Sequence, residues 1–283
     1  MSEKILEGKV VIVTGAGRGI GRAVALACAA EGASIVASDL GCDVEGEGSD
    51  PRVADAIVAE LKGLGAQGVA DTRDLTEPGV PASLVERAIA TYGRLDAVIS
   101  CAGVLAERSV LKTDDAILRR VLAVNLEAQI ALLRAAGQAM VDRKEGGAVV
   151  LTTGPAAFFG ARHQAGLGAA AAGIVAVTRS AALELRKHRV RVNAIAPTAR
   201  TRQTEELPTF QGIAEASMSA QHVAPIAAFL ASPLAEEVHG EVVGIAGARA
   251  YSFRARESTG AFSDGKPFSI REVHAAWRDV TRA

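Results

Sequence analysis

Short apolar runs alternate with longer stretches of helical period along most of this chain. Val10–Thr14, Ser34–Ser38, Val69–Asp71, Leu95–Ser100, Ala148–Thr152, Val190–Ile195 and Val242–Ala246 read as strands. Residues 20–31, 52–64, 80–92, 113–142 (one long helix or two abutting ones) and 164–187 read as helices between them. The strands are apolar throughout rather than at every second position. Strands of that kind belong to a parallel sheet covered on both faces. The pattern predicts one doubly wound, Rossmann-type α/β domain with about seven parallel strands and no internal repeat.

Two segments stand outside the alternation. Gly41–Pro51 is a polar loop longer than the usual connection between strand and helix. Residues 249–283 follow the last predicted strand. There Ser269-Ile270-Arg271-Glu272 is a capping-box pattern, and Ile270, Val273, Trp277 and Val280 recur at helical spacing. A terminal helix docked on apolar surface is expected.

Composition narrows the function classes. The 283 residues are 49% apolar, enough for one large core without staples. A net charge of −1 gives no electrostatic case for nucleic acid or an anionic membrane. No run reaches the roughly 20 apolar residues of a membrane span. Met1–Lys9 carries Glu3 and Glu7 and has no apolar leader core. Cys28, Cys42 and Cys101 have neither metal-ligand nor disulfide-framework spacing. A reducing cytoplasm is the simple expectation, and no metal site is expected.

The first loop carries the clearest chemistry. Thr14-Gly15-Ala16-Gly17-Arg18-Gly19-Ile20-Gly21 lies between the first strand and first helix. Glycine is needed there for a tight turn, for close approach of backbone to a pyrophosphate, and for packing of helix against strand. The helix start offers free N–H groups and a positive dipole end to phosphate. Asp39 ends the second strand, where an acid accepts from a ribose 2′-hydroxyl and repels a 2′-phosphate. NAD is therefore expected over NADP, with Arg18 pulling the other way. Leu40 adjoins Asp39, and Asp74-Leu75 follows the third strand.

The glycine spacing, T-G-x-x-x-G-x-G with Ile20 where other dinucleotide loops have their last glycine, resembles the short-chain dehydrogenase/reductase family. Ala102-Gly103 keeps half of that family's N-N-A-G, Ser100-Cys101 replacing the rest. Val124-Asn125-Leu126 matches its catalytic-helix Asn. Asn193-Ala194-Ile195-Ala196-Pro197 matches its N-x-x-x-P, with Thr198 where Gly is usual. The resemblance places Asp74-Leu75 at adenine and Pro197 over nicotinamide. Two further stretches, Asp39-Leu40-Gly41 running to Gly48 and Ala196–Arg200 preceding Thr201-Arg202-Gln203-Thr204, resemble the dehydrogenase module of multifunctional type 2 enzymes. By that resemblance the substrate would be an acyl-CoA or a steroid-like acyl thioester.

The family's proton chemistry has no side chains here. Its Ser and Tyr-x-x-x-Lys fall at Gly154, Leu167 and Ala171 when Gly160 and Gly173 are aligned with the family's glycines. The only tyrosines are Tyr92 and Tyr251, and no lysine lies between Lys144 and Lys187. Asn125 keeps its residue but loses the Lys that its relay serves. It can equally hydrogen-bond the backbone of a kinked helix. Thr153 beside the Ser position, His163 four residues before Leu167, and Cys101 are candidate substitutes. Each also has a plain reading, as strand end, solvated loop residue and small buried filler.

Three functions follow. One is a non-catalytic NAD-binding subunit that pairs with an active homologue. Another is an NAD-dependent oxidoreductase of hydroxyacyl-CoA or steroid-like substrates using a relocated acid. The third is non-redox chemistry on a thioester. Purified alone, the chain is expected to be a homo-oligomer, dimer or tetramer. Ile174, Val177 and Ala181 are the candidate interchain face, and the chain's own sheet is the other place for them.

Overall fold

The computed structural model describes residues 4–282, so Met1–Glu3, the start of the segment read above as lacking a leader core, lie outside the described residues. Eight strands form one sheet: β1 Val10–Thr14, β2 Ser34–Ser38, β3 Gly68–Asp71, β4 Ala97–Ser100, β5 Gly147–Thr152, β6 Val190–Thr198, β7 Val242–Ala246 and β8 Arg249–Ser252. Their order is β3-β2-β1-β4-β5-β6-β7-β8. The first seven are parallel, and β8 runs antiparallel to β7.

The helices are α1 Gly19–Ala30, α2 Arg52–Gly63, α3 Val80–Tyr92, α4 Asp115–Leu122, α5 Ala128–Arg143, the short α6 Ala156–Phe159, α7 Ala165–Leu185, α8 Ala224–Ala231 and α9 Ile270–Thr281. One face of the sheet carries α1, α2 and α8. There Val11 and Val13 of β1 join Val24, Ile57, Ala227 and Leu230 in a buried cluster. Val10 and Ile12, which point the other way, are equally buried. Helices cover both faces, which is why these strands carry no polar alternation.

The eighth strand was not expected. Gly247 and Ala248 form a two-residue hairpin loop between the paired Ala246 and Arg249, with Gly247 at φ +55°. Arg249 and Ala250 of the returning strand are exposed, so its sequence lacks an apolar run.

Of the two forms expected over 113–142, the structure has two abutting helices, α4 and α5, joined through a π-helical turn at Ala123–Glu127. The Asn125 amide nitrogen donates to the Val121 carbonyl at 3.0 Å, taking an acceptor of the helix ladder.

Of the two places expected for the Ile174 stripe on α7, the chain's own core takes Ile174. Ile174 is fully buried within the chain, with Val177 and Ala181 half-buried beside it. The exposed positions of that helix are Ala165, Ala169, Ala172, Ala176, Ser180, Leu183 and Glu184. Residues Ala165–His188 are long and apolar enough by length and composition to cross a membrane. Ala170, Ala171, Ile174, Val175, Thr178 and Ala182 nevertheless form a buried face, as a core helix does.

The chain divides into two compact units, Met1–Ser252 and Phe253–Ala283. In the second, α9 carries the capping box: the Ser269 side chain accepts from the Glu272 N–H, and the Glu272 carboxylate accepts from the Ser269 N–H. Ile270, Val273 and Trp277 on that helix are exposed, and Val280 is half-buried.

Candidate functional site

The strand order reverses direction between β1 and β4, and a crevice opens beyond the carboxyl ends of the strands at such a point. Thr14 ties the two ends together. Its buried hydroxyl accepts from the N–H groups of Cys101 and Ala102, each at 3.1 Å. Gly15 follows at φ +62°, and a Cβ there would sit 2.8 Å from the Ala102 nitrogen. A Cβ on Gly21 would collide with the Gly15 carbonyl. Both positions need glycine, and α1 starts at Gly19 with its N–H groups facing the crevice end.

Asp39 is held from both sides. One carboxylate oxygen accepts from the Gly17 N–H and the other from the Gly41 N–H, both at 2.8 Å. The fixed carboxylate faces a cavity of about 520 Å³, lined by Gly15, Gly19, Ile20 and Gly21 along its floor. Arg18, Asp39 and Leu40 line one end with Asp74 and Leu75, and Ala102 and Gly103 lie toward the other. This set fits a dinucleotide: helix-start N–H groups for a pyrophosphate, an acceptor for a ribose hydroxyl, and the apolar Leu40 and Leu75 for an adenine.

Arg18 is engaged within the chain. Its guanidinium donates to the Cys42 carbonyl at 3.2 Å and the Gly41 carbonyl at 3.5 Å. It braces the long loop that follows β2. That loop is secured elsewhere by Glu45–Arg108 and Glu47–Arg120 ion pairs, and by the Leu105 N–H donating to the Val44 carbonyl.

Several cavity residues were missed by sequence reasoning. Gln129 is 3% exposed and lines the cavity. Its side chain donates to the Asn125 and Thr152 carbonyls and accepts from the Thr152 N–H, joining α5 to the end of β5. A glutamine four residues after Asn125 on an otherwise apolar helix face was the available signal. Thr201, Arg202 and Gln203 cross the cavity from the segment after β6. Gln203 donates to the Gly103 carbonyl at 2.7 Å, and Arg202 to the Cys42 carbonyl at 3.1 Å. These three marked a resemblance in sequence but carried no role there.

The other end holds little chemistry. Asn125 uses its amide on backbone: Oδ1 accepts from the Val104 N–H, and Nδ2 donates to the Val104 and Val121 carbonyls. Thr153 is 8% exposed, and its hydroxyl donates to the Ala171 carbonyl at 2.7 Å. Ala171 is buried, Leu167 is half-buried, and a Cβ on Gly154 would meet open space. None of these five lines the cavity, nor does Pro197, half-buried near the end of β6 and in register with Ile245. His163 is exposed at φ +63°, and its carbonyl accepts from the Arg108 N–H. Cys101 does line the cavity, but burial pushes its thiol up to about 12, against a small opposing effect of the Thr152 hydroxyl.

The sequence profile of the short chain dehydrogenase family matches residues 9–209. The chain belongs to the short-chain dehydrogenase/reductase family. It is 37% identical over 235 residues to the peroxisomal multifunctional enzyme type 2 of Mus musculus, covering 83% of this chain and 31% of that enzyme. It thus spans about a third of that relative's length. It is 35% identical over 286 residues to the hydroxyacyl-CoA dehydrogenase ChsB1 of Mycobacterium tuberculosis, covering 97% of this chain and 89% of the relative. Among solved structures it is similar to carveol dehydrogenase from Mycobacterium avium in complex with NAD. There the TM-score is 0.76 at 25% identity, covering 85% of this chain and 97% of that one. The chain therefore has the family's NAD(P)-binding fold, and it resembles the hydroxyacyl-CoA dehydrogenase module.

Proposed function

We propose that this chain binds NAD in the cavity over the Gly15–Gly21 loop and does not turn over as a normal dehydrogenase, serving as a non-catalytic subunit or a degenerate oxidoreductase. One observation carries the reading. Where a family member needs a hydroxyl, a phenol and an ammonium, this chain has Gly154, Leu167 and Ala171. The nearby polar groups do not replace them. The Thr153 hydroxyl hydrogen is committed to the Ala171 carbonyl, and the Asn125 amide to Val104 and Val121. The Cys101 thiol stays protonated at neutral pH. A general acid–base is worth roughly 10²–10⁴ in rate, so its loss leaves positioning alone to act.

NAD is favoured over NADP because both Asp39 oxygens are oriented by amides at the ribose end. NAD, when bound, would supply hydride acceptance. The chain's own part is then to hold pyrophosphate at the N–H groups of the α1 start and a ribose hydroxyl on Asp39. The likeness to ChsB1 and to the multifunctional enzyme favours an acyl thioester as the molecule presented to that cofactor. A homo-oligomer is the expected state of the protein alone, and pairing with an active homologue its expected role. The exposed small-residue positions on α7 permit close approach of a second helix. Three free cysteines suit a reducing cytoplasm.

The experiment has two arms. Thermal unfolding with each dinucleotide at millimolar concentration should give a larger rise with NAD or NADH than with NADP or NADPH. NADH formation from a panel of hydroxyacyl-CoA substrates should stay at background. Ordinary family turnover in the unmodified protein would refute the reading.

A further inference from the structure

A second cavity, of about 530 Å³, lies at the opposite edge of the sheet from the dinucleotide cleft. It is built where the parallel strands begin: Lys9 before β1, Asp96 before β4, Gly146 before β5, Arg189 before β6 and His239 before β7. We propose that it is a ligand site of its own for a phosphate-bearing anion, held by arginines from α5, β6 and the turn after α7.

Charge is the first argument. Six basic side chains line the cavity against four acidic ones, a surplus of two positive charges with His239 neutral. Two of the acids are already outnumbered. Asp96 lies 2.7 Å from Arg94, 3.2 Å from Arg143 and 3.8 Å from Lys9. Glu145 is 3.4 Å and 3.5 Å from the same two arginines. The other two acids, Glu236 and Glu237, are exposed and make no ion pair among the described residues.

Unspent donors are the second argument. Arg191 is only 8% exposed, yet its partners are three carbonyls, those of Leu230, Ser232 and Ala235. Those bonds go to neutral carbonyls, and the Glu236 carboxylate, which acts on its charge, forms no ion pair with it. Arg143 Nε and Nη1 and His239 Nδ1 are buried with no hydrogen-bond partner among the described residues. Arg186, next to them, forms no ion pair there either. Arg143 keeps N–H groups without a hydrogen bond although its charge is shared with Asp96 and Glu145, and donors left unmatched at a buried edge are costly unless an acceptor answers them. Phosphate oxygens match the guanidinium fork two at a time. The potential is also felt by the neighbouring ring, since burial and the charges of Arg186 and Arg191 hold His239 below its ordinary value. The volume is that of a small-molecule site. Bracing accounts for Arg191 on its carbonyls and for Arg143 on Asp96 and Glu145, but not for Arg186 or for the unpartnered His239 Nδ1.

Inorganic pyrophosphate is a suitable probe. Thermal unfolding of the full chain is followed at constant ionic strength, with sodium chloride replaced by pyrophosphate. At about 10 mM the expected rise in Tm over the chloride control is about 2–4 °C. The rise should fall by at least half in the double variant Arg186→Gln with Arg189→Gln, and persist in Arg202→Gln, whose side chain lies at the dinucleotide cleft. In parallel, the His239 ring resonances of the wild-type protein should move on titration. That readout stands even if the double variant fails to fold. Equal Tm in pyrophosphate and chloride would overturn the proposal. So would loss of the effect in Arg202→Gln rather than in the double variant, or an unmoved His239 signal.

Discussion

The two ends of the crevice differ in what they have kept. At the β1–β2 end the elements proposed to hold a dinucleotide are mutually braced: Gly15 against Ala102, Gly17 and Gly41 on Asp39, Thr14 on the β4 turn. At the β5–α7 end the framework is equally well braced, but on the proposed reading the groups that would do proton chemistry are absent, with Gly154, Leu167 and Ala171 at their positions. What remains there is structural: Asn125 holds the π-turn, Gln129 staples α5 to β5, and Thr153 staples β5 to α7. Binding and chemistry are separable in this fold because backbone supplies most of the first and side chains nearly all of the second.

The comparison breaks most severely if the glycine loop is altered. Gly15→Ala places a Cβ against the Ala102 backbone at a positive φ, where L residues pay roughly 1–2 kcal/mol before any clash. The expected result is loss of any detectable NADH-dependent rise in Tm, with lower stability of the protein alone. A nearly normal NADH response would mean that the loop is not the binding element.

The opposite experiment rebuilds the other end. Gly154→Ser, Leu167→Tyr and Ala171→Lys together should raise NADH formation from a hydroxyacyl-CoA by roughly 10²–10⁴ over the unmodified chain. Serine at 154 enters open space, whereas the longer side chain at the buried 171 position must find room. The three act as a unit, so each single change should do far less than its share. A triple variant that folds, binds NADH and remains inactive on the whole panel would remove the case for a decayed oxidoreductase.

The contrast also explains what could be read from sequence. β1, β2 and β7 were legible to the residue, because a strand covered on both faces is an uninterrupted apolar run bounded by turn residues. The glycine loop and Asp39 were legible because their requirement is local: no Cβ, and a carboxylate at a strand end. β8 was not, since an exposed edge strand of four residues has no run to show. The stripe on α7 could not be placed from sequence, because Ile174 at helical spacing looks the same whether it faces a partner or its own sheet. Gln203 and Arg202 were seen as a resemblance but not as cavity residues. Their contacts with Gly103 and Cys42 join segments 100 and 160 positions apart, and nothing in local pattern encodes such closure.

A smaller effect sharpens the binding end. Asp39→Ala removes an acceptor fixed by two amides and the repulsion of a 2′-phosphate. A hydrogen bond to a charged group is worth about 1.5–3 kcal/mol, so NADH affinity should drop roughly 10- to 100-fold while that for NADPH changes little or improves. Titration of both reduced cofactors by nucleotide fluorescence reads the ratio directly. An unchanged preference would take the ribose contact away from Asp39.

The mildest test concerns pH at the cavity thiol. Burial pushes both Cys28 and Cys101 up to about 12 in the folded chain, well above an ordinary thiol near 8.5–9. A raised acid favours the folded state only while the thiol is protonated in both states. Its contribution is complete below about pH 9 and is lost as pH climbs toward 12, because the unfolded chain ionises first. Urea midpoints should therefore be insensitive to these thiols from neutral pH to about 8 and decline in the alkaline range, with Cys28→Ala flattening part of the decline. Alkylation by iodoacetamide gives the kinetic counterpart, since only the thiolate attacks. At pH 8 Cys101 should react far more slowly than the half-buried Cys42, whose thiol is raised by burial and partly brought back by Arg202. Fast labelling of Cys101 at neutral pH would show an ionisable thiol facing the cofactor cavity and would reopen the relocated-acid reading.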